Sequence, residues 1–320
     1  MKKGKTLSKL IATTLFIVCL GTATIPVSAA TNEVMPKGDS DYTTEYLSVE
    51  EQFNELLQNS SSAGERQIIL KKAFDMGVSA EELDKTTLSD ADLKILNGTA
   101  LPQNANIANR RIMIGNVGNV KGDVAIQPNA TVAGVSMPDY ALWPTIYKQV
   151  NSTSCSAATV YTVGKYIGAN PPSQANIMKF WKSQWNVTYP DLPLMRNYLN
   201  LHLPGKPSDY VPYVYKKYAG NQTTFNKDLK NNVINRQPMI ILMKNSSGTS
   251  NWPYTTNGHF CICSGLLTWE NNRYFMGDPY YFSSYVRSAT ANNGEHKRTW
   301  GELNQVIANR FGSGSQYYLT

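Results

Sequence analysis

Few side chains in this chain can run nucleophilic or acid–base chemistry near neutral pH: there are three histidines and four cysteines in 320 residues. One cysteine, Cys155, stands in the stretch QVNSTSCSAATV, residues 149–160. A thiol attacks as its thiolate, so a reactive cysteine needs its pKa lowered. A helix N-terminus does this, because its free N–H groups and its dipole favour negative charge. Asn151, Ser152, Thr153 and Ser154 are all good N-caps, and Ser156 to Ile167 reads as a helix closed by Gly168. The spacing therefore puts the sulfur at a helix tip.

A thiolate needs a base, and the base needs an orienting group. His259 lies in NGHFCICSGLL, residues 257–267, where Phe260, Ile262 and Leu266 alternate with small or polar residues. That alternation predicts a strand, with His259 near its start and Gly258 leaving room beside it. YFMGDPYYF, residues 274–282, follows a turn at Glu270–Arg273 and reads as the paired strand, with Asp278 at its end before Pro279. A hairpin of this kind fixes the geometry of His259 and Asp278. An acyl-transfer site also needs oxyanion donors. The backbone N–H of Cys155 is one, and the side-chain amide of Gln149, six residues upstream, is the second.

The elements that carry these residues lie in a chain of uneven charge. Residues 1–30, with four lysines, an apolar run and Ser28-Ala29-Ala30, have the form of a secretory signal peptide. Cys19 falls in that segment. The mature protein is then expected to be exported, bacterial, and without a membrane span. Residues 31–135 carry 15 acidic and 9 basic side chains, a net of −6, whereas residues 136–320 carry 8 and 17, a net of +9. Short helical patterns mark the acidic part at 49–59, 65–74 and 79–85, the last with a capping-box pattern from Ser79. Residues 97–134 are rich in Gly and Asn and read as a linker, with a dibasic Arg110-Arg111. Residues 31–135 are thus expected to be an acidic pro-region or spacer, and residues 136–320 the working domain. The basic side chains are scattered and form no nucleic-acid motif, which excludes that partner class. Attraction to an anionic cell wall fits the charge.

Other candidates have plainer readings. His259, Cys261 and Cys263 share one face of a strand, but successive same-face residues splay apart and a second Cys/His pair is lacking, so no metal is expected. Cys261 and Cys263 read as packing thiols. His202 and His296 read as surface histidines in loops. Trp181, Trp185 and the tyrosines of residues 210–218 read as packing groups, and Trp252 and Tyr254 as groups at a cleft mouth.

The order Gln149, Cys155 at a helix start, a later Gly-His strand and an Asp-Pro after the next strand resembles papain-like cysteine peptidases. More narrowly, it resembles secreted relatives of the bacteriocin-processing (double-glycine leader) peptidase family. FNKDLKNNVINRQPMIILMK, residues 225–244, is similar to that family's helix, turn and apolar strand, and RTWGELNQVIANRF, residues 298–311, to its late helix. The similarity runs from about Asp139 to Thr320. Where the family usually carries glycine and proline after the cysteine, this chain has Ser156 and Ala157. The resemblance implies an α+β papain-like fold, the cysteine helix packed on an antiparallel sheet, with nucleophile Cys155, base His259, orienting Asp278 and oxyanion donor Gln149. It implies no cofactor and a peptide or protein substrate. Two competing expectations share the sequence: a cell-wall peptide amidase using the same site, and an inert secreted binding module.

Overall fold

The computed structural model describes residues 46–99, 125–132, 135–245, 252, 254–267, 271–280, 294–308 and 316–320. The proposed signal segment and the dibasic pair lie outside them. The helices are α1 (Val49–Gln58), α2 (Ala63–Met76), α3 (Asp90–Leu96), α4 (Cys155–Tyr166), α5 (Gln174–Trp185), α6 (Leu192–Asn197), α7 (Gln222–Ile234) and α8 (Trp300–Ala308). The strands are β1 (Ala125–Val132), β2 (Val135–Ala141), β3 (Tyr215–Lys217), β4 (Met239–Asn245), β5 (Thr256–Leu267), β6 (Arg273–Gly277), β7 (Glu295–Arg298) and β8 (Tyr317–Leu319).

All these strands join one antiparallel sheet, in the order β1-β2-β5-β4-β8-β3, with β6 on β5 and β7 on β6. β4 and β5 read as nearly unbroken apolar runs because both of their faces are covered. Met239, Ile241, Met243, Cys261 and Cys263 pack against Phe225, Leu229 and Val233 of α7 and Leu303, Val306 and Ile307 of α8. The alternate residues Ile240, Leu242, Phe260 and Ile262 pack against Ala157, Val160 and Val163 of α4, Trp181 of α5 and Met195 of α6. The period of two thus divides one sheet between two helical layers. This is the expected α+β architecture, with the cysteine helix laid on the antiparallel sheet.

Two close approaches hold the site end together. A Cβ on Gly265 would come within 2.5 Å of Ala141 Cα and Tyr140 O, so glycine is what lets β2 pair with β5 there. A Cβ on Gly277 would come within 2.3 Å of Ile146 Cδ1, which lies on the segment leading to Gln149. The β5–β6 turn ends in Asn271 and Asn272, both left-handed, at φ 59° and 56°. Asparagine tolerates that region better than most residues.

The acidic segment departs from its sequence reading in two places. Residues 79–83 form a turn and Lys85–Thr87 a 3-10 helix rather than one helix over 79–85. Half of the capping box does form, with Ser79 N–H on the Glu82 carboxylate at 2.7 Å. Burial of Val78, Ala80 and Leu83 against α1 and α2 breaks the pattern before a helix can propagate. Residues 125–132, within the stretch read as linker, are strand β1, which pairs as an antiparallel hairpin with β2, the next strand along the chain.

The layer of α1, α2 and α3 meets the rest of the fold at the β3 end of the sheet. The Gln52 side chain acts as a substitute peptide group: its Oε1 accepts from Tyr215 N at 2.8 Å and its Nε2 donates to Tyr215 O at 2.9 Å. Lys72 Nζ donates to Pro212 O at 2.6 Å, Thr320 O at 2.7 Å and Gln237 Oε1 at 3.2 Å. Arg196 of α6 pairs with Glu55 at 2.7 Å. Of these contacts the Arg196–Glu55 pair is the one that joins a basic residue of the second part to an acidic residue of the first, and the others are directed hydrogen bonds.

Candidate active site

Cys155 is the first residue of α4, with Ser154 as its N-cap. Ser154 makes no capping bond to the helix itself. It ties back to Asn151 instead, accepting from Asn151 N and donating to Asn151 O, both at 3.1 Å. Asn151 Oδ1 accepts from Thr153 N and Oγ1. The polar run thus builds a tight turn that delivers the chain to the helix. Thr159 Oγ1, one turn on, donates to Phe260 O at 3.2 Å and locks α4 to β5 beside His259.

His259 is fully buried and bridges two kinds of group. Its Nε2 lies 2.8 Å from Asp278 Oδ1. Its Nδ1 makes no aligned hydrogen bond, and two thiols, those of Cys155 and Cys261, approach the ring. Asp278, also fully buried, follows β6 directly. Its Oδ1 also accepts from Tyr280 N at 2.8 Å, and its Oδ2 from Tyr254 Oη at 2.5 Å and His296 Nε2 at 3.3 Å.

These surroundings drive the titrations apart. Burial pushes the Cys155 thiol up, but the His259 side chain, through its hydrogen bond and its charge, and the Phe260 and Ser156 N–H groups outweigh it, so the thiol lies below its ordinary value. Burial pushes both Cys261 and Cys263 up to about 12. Burial pulls His259 down, and the negative charges of the Cys261 sulfur and the Asp278 carboxylate more than reverse it, holding the imidazole well above its ordinary value. Since Cys261 stays protonated at neutral pH, Asp278 is the anion that holds the imidazolium there. Asp278 is itself held well below the usual carboxylate range: its burial is overcome by His259 and His296.

Gln149 is fully buried in the loop before α4. Its backbone N donates to Pro279 O at 3.0 Å, which ties the loop to the segment after Asp278. Its Nε2 donates one hydrogen to Asn151 O at 2.8 Å, and a primary amide carries a second. Gln174 holds the same loop from below, through Val150 N at 3.1 Å and Lys148 O at 2.8 Å.

Three sequence expectations change. His296, read as a surface histidine, is 3% exposed and bonded to Asp278, because β7 pairs with β6 and places it there. Trp252 and Tyr254 do not stand at a cleft mouth. Trp252 is buried against His296, with ring centroids 5.1 Å apart, and Tyr254 is bonded to Asp278. Cys261 comes closer to the site than a splayed strand neighbour should, since one ligand-type atom each of His259, Cys261 and Asp278 lie within 4.8 Å of one another. Within this group His259 Nε2 and both Asp278 oxygens are engaged in hydrogen bonds, while His259 Nδ1 keeps no aligned partner. A cavity of about 230 Å³ lies at the other end of α4, lined by Tyr166, Gly168, Tyr210 and Arg236, and holds none of the four site residues.

A model of the Peptidase_C39 like family matches residues 144–308, about half of the chain. The chain belongs to this family. The match begins just before Gln149, ends with α8, and so takes in Cys155, His259, Asp278 and His296. Membership of the Peptidase_C39 like family supports a C39-type cysteine peptidase and agrees with the α+β fold. Comparison with curated proteins gives no match.

Proposed function

We propose that the protein is a secreted cysteine peptidase that hydrolyses peptide bonds through Cys155, His259 and Asp278, with Gln149 and the Cys155 N–H as oxyanion donors. One observation carries the reading. Of the three described thiols, only Cys155 has its pKa lowered, and it faces the same imidazole that Asp278 holds from behind. In this reading Cys155 and His259 react as thiolate and imidazolium. The thiolate attacks the scissile carbonyl carbon, and the carbonyl oxygen gathers negative charge toward the Cys155 N–H and the second hydrogen of Gln149 Nε2. His259 passes its Nδ1 proton to the leaving amine, and the bond to that amine breaks. Neutral His259 next takes a proton from water, which attacks the acyl-enzyme and releases the acid. Asp278 keeps the ring in the Nε2–H tautomer throughout.

The lysine-rich start of the sequence supports export, and the composition supports a bacterial source. The net charge of +9 over residues 136–320 favours a second substrate class, the peptides of anionic cell walls. Zymography on wall material against a general protein substrate separates the two. The central test uses the full chain. Iodoacetamide should label Cys155 at pH 6–7 far faster than a thiol of ordinary pKa, about 8.5, allows, and Cys155→Ala should abolish both labelling and turnover of a peptide library. Equal labelling of the wild type and Cys155→Ala, or turnover by Cys155→Ala, would sink the reading and leave an inert binding module.

A further inference from the structure

Asp278 has two oxygens with separate duties. Oδ1 faces His259 and is also fixed by Tyr280 N, each at 2.8 Å. A carboxylate turns easily about its Cβ–Cγ bond, so the plane of the group is settled only when Oδ2 is held as well. His296 Nε2, at 3.3 Å, joins Tyr254 Oη in holding it.

His296 is built for that task. β7 pairs with β6 through Met276↔His296 and Gly277↔Glu295, and Asp278 N donates to Gly294 O at 2.7 Å, one step further along. The strand pairing itself therefore brings the ring across to Asp278. Arg298, two residues on and on the same face, donates from Nε to His296 Nδ1 at 3.0 Å. An acceptor at Nδ1 leaves the ring proton on Nε2, pointed at the carboxylate. Arg298 is itself fixed, its guanidinium carbon 5.0 Å from the Trp252 ring centre and its Nη1 3.6 Å from Glu302. A neutral imidazole suits the position. A lysine would also donate to Oδ2, but its cation would compete with the His259 imidazolium for the Asp278 charge. Burial, with Arg298 and His259 adding to it, keeps His296 below its ordinary pKa despite Asp278.

We propose that His296 is a positioning residue of this enzyme: its Nε2–H holds the Asp278 carboxylate in the plane that serves His259. The proposal rests on the Cys155–His259–Asp278 reading given above. In the full chain, His296→Phe keeps the ring against Trp252 and deletes the donor. It should lower kcat about 10-fold or more, the scale at which outer partners of functional groups act, with KM and the melting temperature close to wild type. His296→Gln, whose amide nitrogen reaches the Nε2 position, should restore most of kcat. His296→Asn, whose amide nitrogen reaches only the Nδ1 position, should not. Unchanged kcat in His296→Phe, a loss confined to KM, or equal activity of the Gln and Asn variants would overturn the proposal. The Gln–Asn pair decides the matter even if the Phe variant fails to fold. Cys155→Ala runs beside them: if it is inactive while His296→Phe is normal, only the positioning role falls, and if it turns over substrate, the triad reading falls first.

Discussion

Two buried polar networks lie against different strands of the same sheet. Around β5, His259 and Asp278 are fully buried, with Tyr254, Tyr280 and His296 closing on the carboxylate. Against β3 and β8, Lys72 is 3% exposed and donates to three oxygens. Both contain a titratable group far from its ordinary value, since burial pulls Lys72 down to about 7. Perturbed titration alone would nominate either as a functional site. The two differ in what is left over. Each of the three Lys72 donors has its own acceptor, and nothing reactive faces the amine, so the network serves to hold the α1–α3 layer. The His259 network leaves one ring nitrogen without an aligned partner and brings a thiol toward that ring. A buried group that is fully satisfied is structure, and one that keeps an available atom beside a nucleophile is chemistry.

The sharpest way to break this comparison is at the thiols. Cys155→Ala should lower kcat/KM on the order of 10⁴-fold or more, with little change in melting. Cys261→Ala should keep most of the activity while costing about 1 kcal/mol of stability. Steady-state kinetics and denaturant melts on the two variants check this, and the reverse pattern would move the nucleophile to β5.

Asp278→Asn comes next. It keeps the shape but removes the anion that holds His259 up, and it turns an –NH₂ toward one of its two sets of donors. Turnover should fall on the order of 10²- to 10⁴-fold. The sign of the pH effect follows from the charge. The wild-type rate should rise with pH as Cys155 ionises below its ordinary value, and fall as His259 loses its proton above its own. Without the carboxylate the His259 pKa drops, so the alkaline limb of kcat/KM should move to lower pH.

The smallest effect belongs to the far edge. Lys72 binds its proton less tightly folded than unfolded. Between about 7 and its ordinary value near 10.4 the unfolded chain holds more protons, so stability should rise with pH by up to about 1.4 kcal/mol per unit. Lys72→Met should remove that contribution from the slope in urea melts taken across the window, and leave kcat/KM unchanged. A change in kcat/KM would tie the two networks together.

Much of the site was legible because its signals are local. Capping residues before Cys155, alternation around His259 and a strand ending at Asp278 are each written within about ten residues, where helix and strand periods act directly. The same holds for α1, α7 and β4, all found where their patterns lie. Ser79 shows the limit: half of its capping box forms, yet packing of Leu83 decides against the helix. The strand β1 shows another, since AIQPNATV becomes a strand only through its pairing with β2.

The sequence by itself singled out Cys155, His259 and Asp278 as candidates and the layer that carries each, because those depend on residue type and short spacing. Only the tertiary structure decided that the Cys155 thiol is pulled down while that of Cys261 is pushed up, that His296 and Tyr254 converge on Asp278, and that α1–α3 attach at β3. Those outcomes depend on which distant segments share a low-dielectric space, and hydrogen-bond satisfaction and charge proximity are set there by strand register across the whole chain.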